Sequence, residues 1–294
     1  MFPLPSPAVS VTVTTWADRL AAEVERKRSQ LVVGLDPRPD LLPIELRGDV
    51  ARFCCGIVDA VAPHAVAVKP QLAFFEALGP SGLAAFDHVC AYARRAGLLV
   101  IADGKRGDIG STARAYADAY LEGDPPRADA LTVNAYLGRE SVEPYLAAAR
   151  RHGAGIFVLV KTSNAGADVQ DVTLTDGRPL WQHVASLVDE WGADLVGDCG
   201  LSAVGAVVGA THPRAVREAR KLMPRSIVLL PGVGAQGASV DDLGRAFTSG
   251  PASALVNASR SVIYASRDDG SDFRSAAGAE AARLRSAIWA ASGW

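Results

Sequence analysis

Charged residues crowd the end of one apolar run. In Leu98–Thr112, LLVIADGKRGDIGST, the run Leu98–Ala102 leads into Asp103, Lys105 and Asp108. An uninterrupted apolar run of this length reads as a strand buried on both faces. Side chains alternate along a strand, so Asp103 and Lys105 face the same way if the strand continues that far. A carboxylate beside an amine in a partly desolvated site favours the ammonium form. A fixed ammonium can donate a proton and stabilise negative charge as it develops. An ordinary ion pair at a strand end has the same residues, so the rest of the chain must decide between the two.

A second constellation lies late in the chain. Pro231–Gly237 reads PGVGAQG, so Gly232, Gly234 and Gly237 match G-x-G-x-x-G after an apolar run. As a dinucleotide fingerprint it needs an acidic residue about 20 residues on, at the end of the next strand. That strand, Ala254–Val256, ends in Asn257 instead, and Asp241 and Asp242 come too early. The loop reads better as a phosphate cradle of backbone N–H groups, with Arg260 adding a bidentate grip. The plainer reading is a tight turn that needs glycine, beside a solvated arginine. Gln236 is placed to hold either the phosphate or the base of a nucleotide. The chain has only five lysines, and three of them, Lys69, Lys105 and Lys161, close strand-like runs.

What must position these groups is a series of strand–helix units. Strands are predicted at Leu31–Leu35, Ala65–Val68, Leu98–Ala102, Ala130–Val133, Gly155–Val160, Val204–Ala210, Ile227–Leu230 and Ala254–Val256. Helical periodicity follows at Ala51–Ala62, Gly82–Ala96, Ser111–Leu121, Ser141–His152, Pro179–Trp191, Pro213–Met223, Val240–Ser249 and Gly278–Ala291. A further helix, Trp16–Lys27, precedes the first strand, with Thr15 as its N-cap. Strand–helix alternation means a parallel sheet. Eight such units favour a closed (β/α)8 TIM barrel, an α/β fold in a single domain, over an open doubly wound sheet. Met1–Val13 reads as a flexible leader and residues 14–294 as the barrel. Chemistry in such barrels sits at the C-terminal strand ends. Here those ends carry Asp36, Lys69, Asp103 and Lys105, Asn134, Lys161 and Ser163, Thr211 and His212, Gln236, and Asn257 and Arg260. An open sheet would gather such residues at one switch point.

Composition narrows the class further. The 294 residues are 49% hydrophobic, enough for a full core, and carry a net charge of −2. That charge gives no general attraction to nucleic acid or to anionic membrane. No apolar stretch reaches membrane-spanning length, and Met1–Val13 lacks a signal peptide's basic start and apolar centre. Cys54, Cys55, Cys90 and Cys199 show no metal-binding spacing, which fits a cytoplasmic protein. His64, His88, His152 and His183 have no partners at ligand spacing, and no metal site is expected. His212 could be structural or touch substrate.

Asp103-Gly-Lys105-Arg-Gly-Asp108 resembles the D-x-K-x-x-D motif of the orotidine 5′-phosphate decarboxylase family. The segments GLDPRPD (Gly34–Asp40), VKPQLAFFE (Val68–Glu76), ADALTVNAYLG (Ala128–Gly138), VKTSNAGADVQD (Val160–Asp171), VGATHP (Val208–Pro213) and PGVGAQG resemble its longer bacterial subgroup. The resemblance runs from about Trp16 to about Tyr264. It implies cofactor-free decarboxylation of orotidine 5′-monophosphate to uridine 5′-monophosphate, the last step of de novo pyrimidine synthesis. It implies that Lys105 protonates C6 as carbon dioxide leaves, and that Asp103 lies against the substrate carboxylate. Lys69 would bond the ribose and hold Asp103. Asp108, with Thr112, would reach the neighbouring subunit's site in a homodimer with shared active sites. Asp36 would bind ribose hydroxyls, Ser163 the pyrimidine edge, and Gln236 and Arg260 the 5′-phosphate, with the loop around Gln236 closing as a lid. Gly110 falls where shorter members often have proline. No site residue is placed between Val169 and Val204.

The physics of that reaction suits these residues. Loss of carbon dioxide leaves a carbanion at C6 that the ring delocalises poorly. With no cofactor motif to act as electron sink, electrostatics must lower the barrier. A remote phosphate supplies binding energy for closing loops over the reacting centre. Other readings compete. A class I aldolase would use Lys161 as a Schiff-base amine, which leaves Asp103, Lys105 and Asp108 without a job. A sister enzyme acting on a sugar phosphate would need magnesium, with Glu76 the nearest extra acid. A non-enzymatic phosphate-binding barrel would bind without turnover.

Overall fold

The computed structural model describes residues 13–232, 240–267 and 272–294. The leader to residue 12 and Gln236 therefore lie outside the described residues. Eight parallel strands close on themselves in chain order: β1 (Leu31–Leu35), β2 (Ala67–Pro70), β3 (Leu99–Arg106), β4 (Ala130–Val133), β5 (Gly155–Lys161), β6 (Ser202–Val208), β7 (Ser226–Pro231) and β8 (Ala254–Ala258). The ring shuts where Leu31–Val33 of β1 runs beside Val256–Ala258 of β8. The strands are short, branched and apolar because both faces are covered; β1, β2, β4, β6 and β8 are buried at every position. Burying each Val or Leu side chain contributes about 1.5–3 kcal/mol before entropy is counted.

Among the described residues, ten α-helices surround the strands: α1 (Trp16–Lys27), α2 (Val50–Val61), α3 (Leu72–Glu76), α4 (Gly79–Arg95), α5 (Gly110–Leu121), α6 (Arg139–His152), α7 (Leu180–Trp191), α8 (Pro213–Leu222), α9 (Arg260–Ile263) and α10 (Phe273–Ser292). Helix α1 is capped as its sequence predicts, with the Asp18 N–H donating to Thr15 Oγ1 at 3.1 Å. It closes the N-terminal end of the barrel: the Trp16 ring lies edge-on to Phe157, centroids 6.1 Å apart. A side chain at Gly155, where β5 starts, would collide with that indole, its Cβ lying 2.5 Å from the ring. The ends of α6 and α1 are set by left-handed residues, Gly153 and Arg28.

Three departures from the sequence reading have local causes. Val240–Phe247 forms a 3₁₀ helix rather than an α-helix. Two short helices, α3 and α9, sit directly after β2 and β8, too brief for periodicity to reveal them. And β3 runs on to Arg106, past the apolar run, because its polar end still pairs with β4: Ala102 lies opposite Leu131 and Arg106 opposite Val133. Four steps along β3 thus face two along β4, so the strand bulges at Asp103–Lys105.

Candidate active site

The parallel strands deliver their polar ends to one mouth, and the bulge in β3 shapes what happens there. Asp103 sits on the wall, 6% exposed, and each of its oxygens receives two donors. Lys105 Nζ at 2.7 Å and Thr132 Oγ1 at 3.0 Å donate to Oδ1. Lys69 Nζ at 2.5 Å and Gln71 Nε2 at 3.0 Å donate to Oδ2. The Gln71 amide is oriented from its other end, where Oε1 accepts the Ala73 N–H at the start of α3. Lys69 comes from the last turn-free residues of β2, Thr132 from β4, and Gln71 from the β2–α3 junction.

Electrostatics fix the charge states of this cluster. Burial alone would push the Asp103 carboxyl up, but the Lys69 and Lys105 ammoniums outweigh it and hold it well below the usual carboxylate range. Burial likewise pulls Lys69 down, and Asp103 and Asp36 together more than reverse that, leaving it above its ordinary value. The floor is therefore a carboxylate held between ammoniums. Lys69 is 7% exposed at its side chain, whereas Lys105 is 45% exposed and stands in the opening.

Lys105 is held in an unusual backbone state. Its φ is +47°, the left-handed region, at a residue with a Cβ. Such a conformation costs about 1–2 kcal/mol and persists only where its surroundings enforce it. The bulge demands it, and the Lys105 N–H is taken up by Thr132 Oγ1 at 2.9 Å. A Cβ at Gly104, between the two charged residues, would lie 2.7 Å from Leu72 Cδ1, so a side chain there would displace the end of that leucine.

Above the cluster is a cavity of about 480 Å³, within the range of small-ligand sites. Lys69, Asp103, Lys105, Thr132 and Ser163 line it, with Leu159, Val207, Leu229 and Pro231 as an apolar side. Asp36 lies at the adjoining strand end, where Ser259 Oγ donates to its Oδ2 and the Tyr264 hydroxyl donates to its backbone oxygen at 2.9 Å. Two buried acceptors there, Asp36 Oδ1 and Asn257 Oδ1, have no hydrogen-bond partner among the described residues. Buried acceptors are rarely left so unless something else satisfies them. Arg260 opens α9 and is exposed.

The remaining residues singled out in the sequence fall elsewhere. Asp108 is half-buried, its Oδ1 accepts the Ile109 N–H at 2.8 Å, and among the described residues it forms no ion pair with Lys105. Thr112 is exposed on α5. Lys161 does not join the ring of groups at the mouth. The pairing of β5 with β6 shifts between Leu159 and Lys161, so Leu159 lines the main cavity while Lys161 belongs to a second one of about 670 Å³ with Trp181 and His212. Its Nζ donates to Asp171 Oδ2 at 2.7 Å. That geometry removes the support for a Schiff-base amine aimed at the mouth. Glu76 pairs with Arg106, whose guanidinium also stacks on Tyr116, rather than facing Asp103. Among the described residues no group of three or more His, Cys, Asp or Glu is placed to hold a metal ion. Gln71 and Thr132 are the contributors the sequence reading missed. Gln71 lies within the quoted VKPQLAFFE segment, but only the bulge reveals Thr132.

Comparison with known proteins places this geometry in context. Residues 29–275 match the family described as orotidine 5′-phosphate decarboxylase / HUMPS family. The orotidine 5′-phosphate decarboxylase of Rhodopirellula baltica is 49% identical over 85% of this chain and 89% of that protein. That of Deinococcus radiodurans is 48% identical over 85% of this chain and 90% of its own length. Among solved structures, the OMP decarboxylase of Leishmania donovani is 31% identical, with a TM-score of 0.76 over 96% of this chain and all of that one.

Proposed function

Because the chain belongs to the orotidine 5′-phosphate decarboxylase family, we propose that its charged cluster is the catalytic centre, with Lys105 as the proton donor. The reaction is the decarboxylation of orotidine 5′-monophosphate to uridine 5′-monophosphate, the last step of de novo pyrimidine synthesis. The observation that carries the assignment of roles is the Asp103 carboxylate clamped between Lys69 and Lys105 beneath the 480 Å³ cavity.

In this reading the pyrimidine carboxylate lies toward Asp103, and C6 lies over Lys105 Nζ. The C6–carboxylate bond breaks, carbon dioxide departs, and the electron pair stays on C6. A proton then passes from Lys105 Nζ to C6, leaving a neutral amine that regains its proton from solvent at its open side. The ammonium is already in place before charge develops, so no reorganisation is needed at the moment of reaction. Asp103 keeps that ammonium aimed. Lys69, between Asp103 and Asp36, bonds the ribose. The unpartnered acceptors of Asp36 and Asn257 suit ribose hydroxyls, which are donors. Ser163 faces the pyrimidine edge. No cofactor enters the scheme.

Arg260 takes the 5′-phosphate, as its position just beyond β8 suits. Gln236 keeps that same role as an expectation from sequence. Arg260→Ala is expected to weaken binding of uridine 5′-monophosphate by up to about 3 kcal/mol, the range of a charged hydrogen bond. Calorimetry measures it, and an unchanged affinity removes Arg260 from the phosphate site.

Asp108 and Thr112 act in this scheme on a partner's site. Their support is that Asp108 forms no ion pair with Lys105 among the described residues and Thr112 is exposed, on a face where Ile109 is 50%, Tyr136 85% and Leu137 50% exposed. The loops that carry these residues are tied together by the Asn134 N–H to Arg106 oxygen bond of 2.8 Å. The proposed assembly is a homodimer related by a two-fold axis. The reading as a whole is tested by incubating the protein with orotidine 5′-monophosphate and following the ultraviolet band, with chelator in excess. Turnover is expected to be undiminished by the chelator; a loss on chelation, restored by magnesium, favours the metal-dependent alternative.

A further inference from the structure

We propose that Thr132 is a positioning residue for the proton donor, its hydroxyl coupling the Asp103 carboxylate to the backbone of Lys105. The inference rests on Lys105 being that donor. Thr132 lies on β4 between Leu131 and Val133, the two residues whose partners on β3 are four apart. It therefore stands directly opposite the bulge. An N–H on a bulged strand loses its regular ladder partner, and here the Thr132 hydroxyl oxygen accepts the Lys105 N–H at 2.9 Å. A threonine hydroxyl has one proton to give, and this one goes to Asp103 Oδ1 at 3.0 Å. The same oxygen thus receives from the Lys105 backbone and donates to the group that receives the Lys105 ammonium.

The loop closed in this way runs from Lys105 N–H through Thr132 to Asp103 and back to Lys105 Nζ. It fixes both ends of the Lys105 side chain. The left-handed φ of +47° at Lys105 requires such enforcement. Thr132 is 1% exposed, so water cannot take over either bond. No regular strand pairing would call for a hydroxyl there, because β4 is otherwise Ala130, Leu131 and Val133, and valine would fill the same volume.

The test compares Thr132→Val, which keeps the shape and removes the hydroxyl, with Thr132→Ser, which keeps the hydroxyl. Thr132→Val is expected to lower kcat about tenfold to a hundredfold, the scale of an ångström's misplacement of a reacting group. Its dissociation constant for uridine 5′-monophosphate should stay within about twofold of the parent's, since the phosphate and ribose contacts lie elsewhere. Its acidic kcat limb should move to higher pH, because a carboxylate that loses a donor is easier to protonate. Thr132→Ser should regain most of the turnover and the parental pH profile. A Thr132→Val enzyme with unchanged kcat, or valine and serine variants equally impaired, overturns the proposal. Should Thr132→Val not fold, Thr132→Ala takes its place. If neither folds while Thr132→Ser does, the hydroxyl serves the fold and the proposal fails. Lys105→Ala in the same series separates the two readings. If it turns over like the parent, the proton-donor assignment falls; if it is inactive while Thr132→Val is not, only the role of Thr132 falls.

Discussion

Lys105→Ala is expected to abolish turnover while the protein stays folded and still binds uridine 5′-monophosphate. On the proposed role, the substitution removes both the proton source and the cation nearest the developing charge. General acid catalysis is worth about 10²–10⁴-fold and fixed electrostatic stabilisation about as much again, so kcat should fall by at least about 10⁴-fold. Folding should survive because Asp103 keeps three donors: Lys69, Gln71 and Thr132. Lys105 is also the more exposed of the two lysines, so its loss leaves no large void. The measurement is single-turnover ultraviolet spectroscopy at saturating orotidine 5′-monophosphate, alongside calorimetry with the product. Turnover within tenfold of the parent would sink the assigned role, whatever the family.

The second large effect is a recovery. Asp108→Asn and Lys105→Ala chains are each expected to be inactive alone. In a two-fold dimer with sites built across the interface, a mixed pair has one site with both an intact Lys105 and an intact Asp108. The other site has neither. Random exchange makes half of the dimers mixed, so a one-to-one mixture should regain about a quarter of the parental activity. Mild denaturation and refolding of the two chains together ensures exchange. That Asp108 forms no ion pair with its own chain's Lys105 among the described residues is what gives this experiment its force. No recovery after proven exchange would mean that Asp108 works within its own chain.

The barrel was legible in the sequence because each strand is a short apolar run closed by a polar residue. Ala130–Val133 and Leu31–Leu35 coincide with the observed strands, and the Thr15 cap and Gly153 stop were readable from residue type alone. Of the site, Asp103 and Lys105 come together as strand alternation implies, and Lys69 meets Asp103 as the family resemblance implies. The misreadings concern register. Lys161 closes a strand just as Lys69 does, yet a shift in β5 sends it to another cavity. Thr132 sits in an apolar run with nothing to mark it, and its importance arises only because the neighbouring strand carries two extra residues. Bulges are set by two strands at once, and within β3 Gly104 is the residue type that could have hinted at this one.

The way Asp36 is held has a consequence for how the enzyme comes into being. Its side chain is bonded by Ser259, 223 positions away, and its loop by the Tyr264 hydroxyl, which accepts the Arg38 N–H across 226. That tyrosine stacks on Phe53, which in turn meets Phe273 at the start of the last helix. A ribosome releases the N-terminal parts first, so a nascent chain carries its lysines and aspartates long before it owns the completed pocket around Asp36. The ring must be sealed by its final strand before any nucleotide finds a seat, and a chain truncated ahead of that strand is left a half-built vessel, charged but unable to grip.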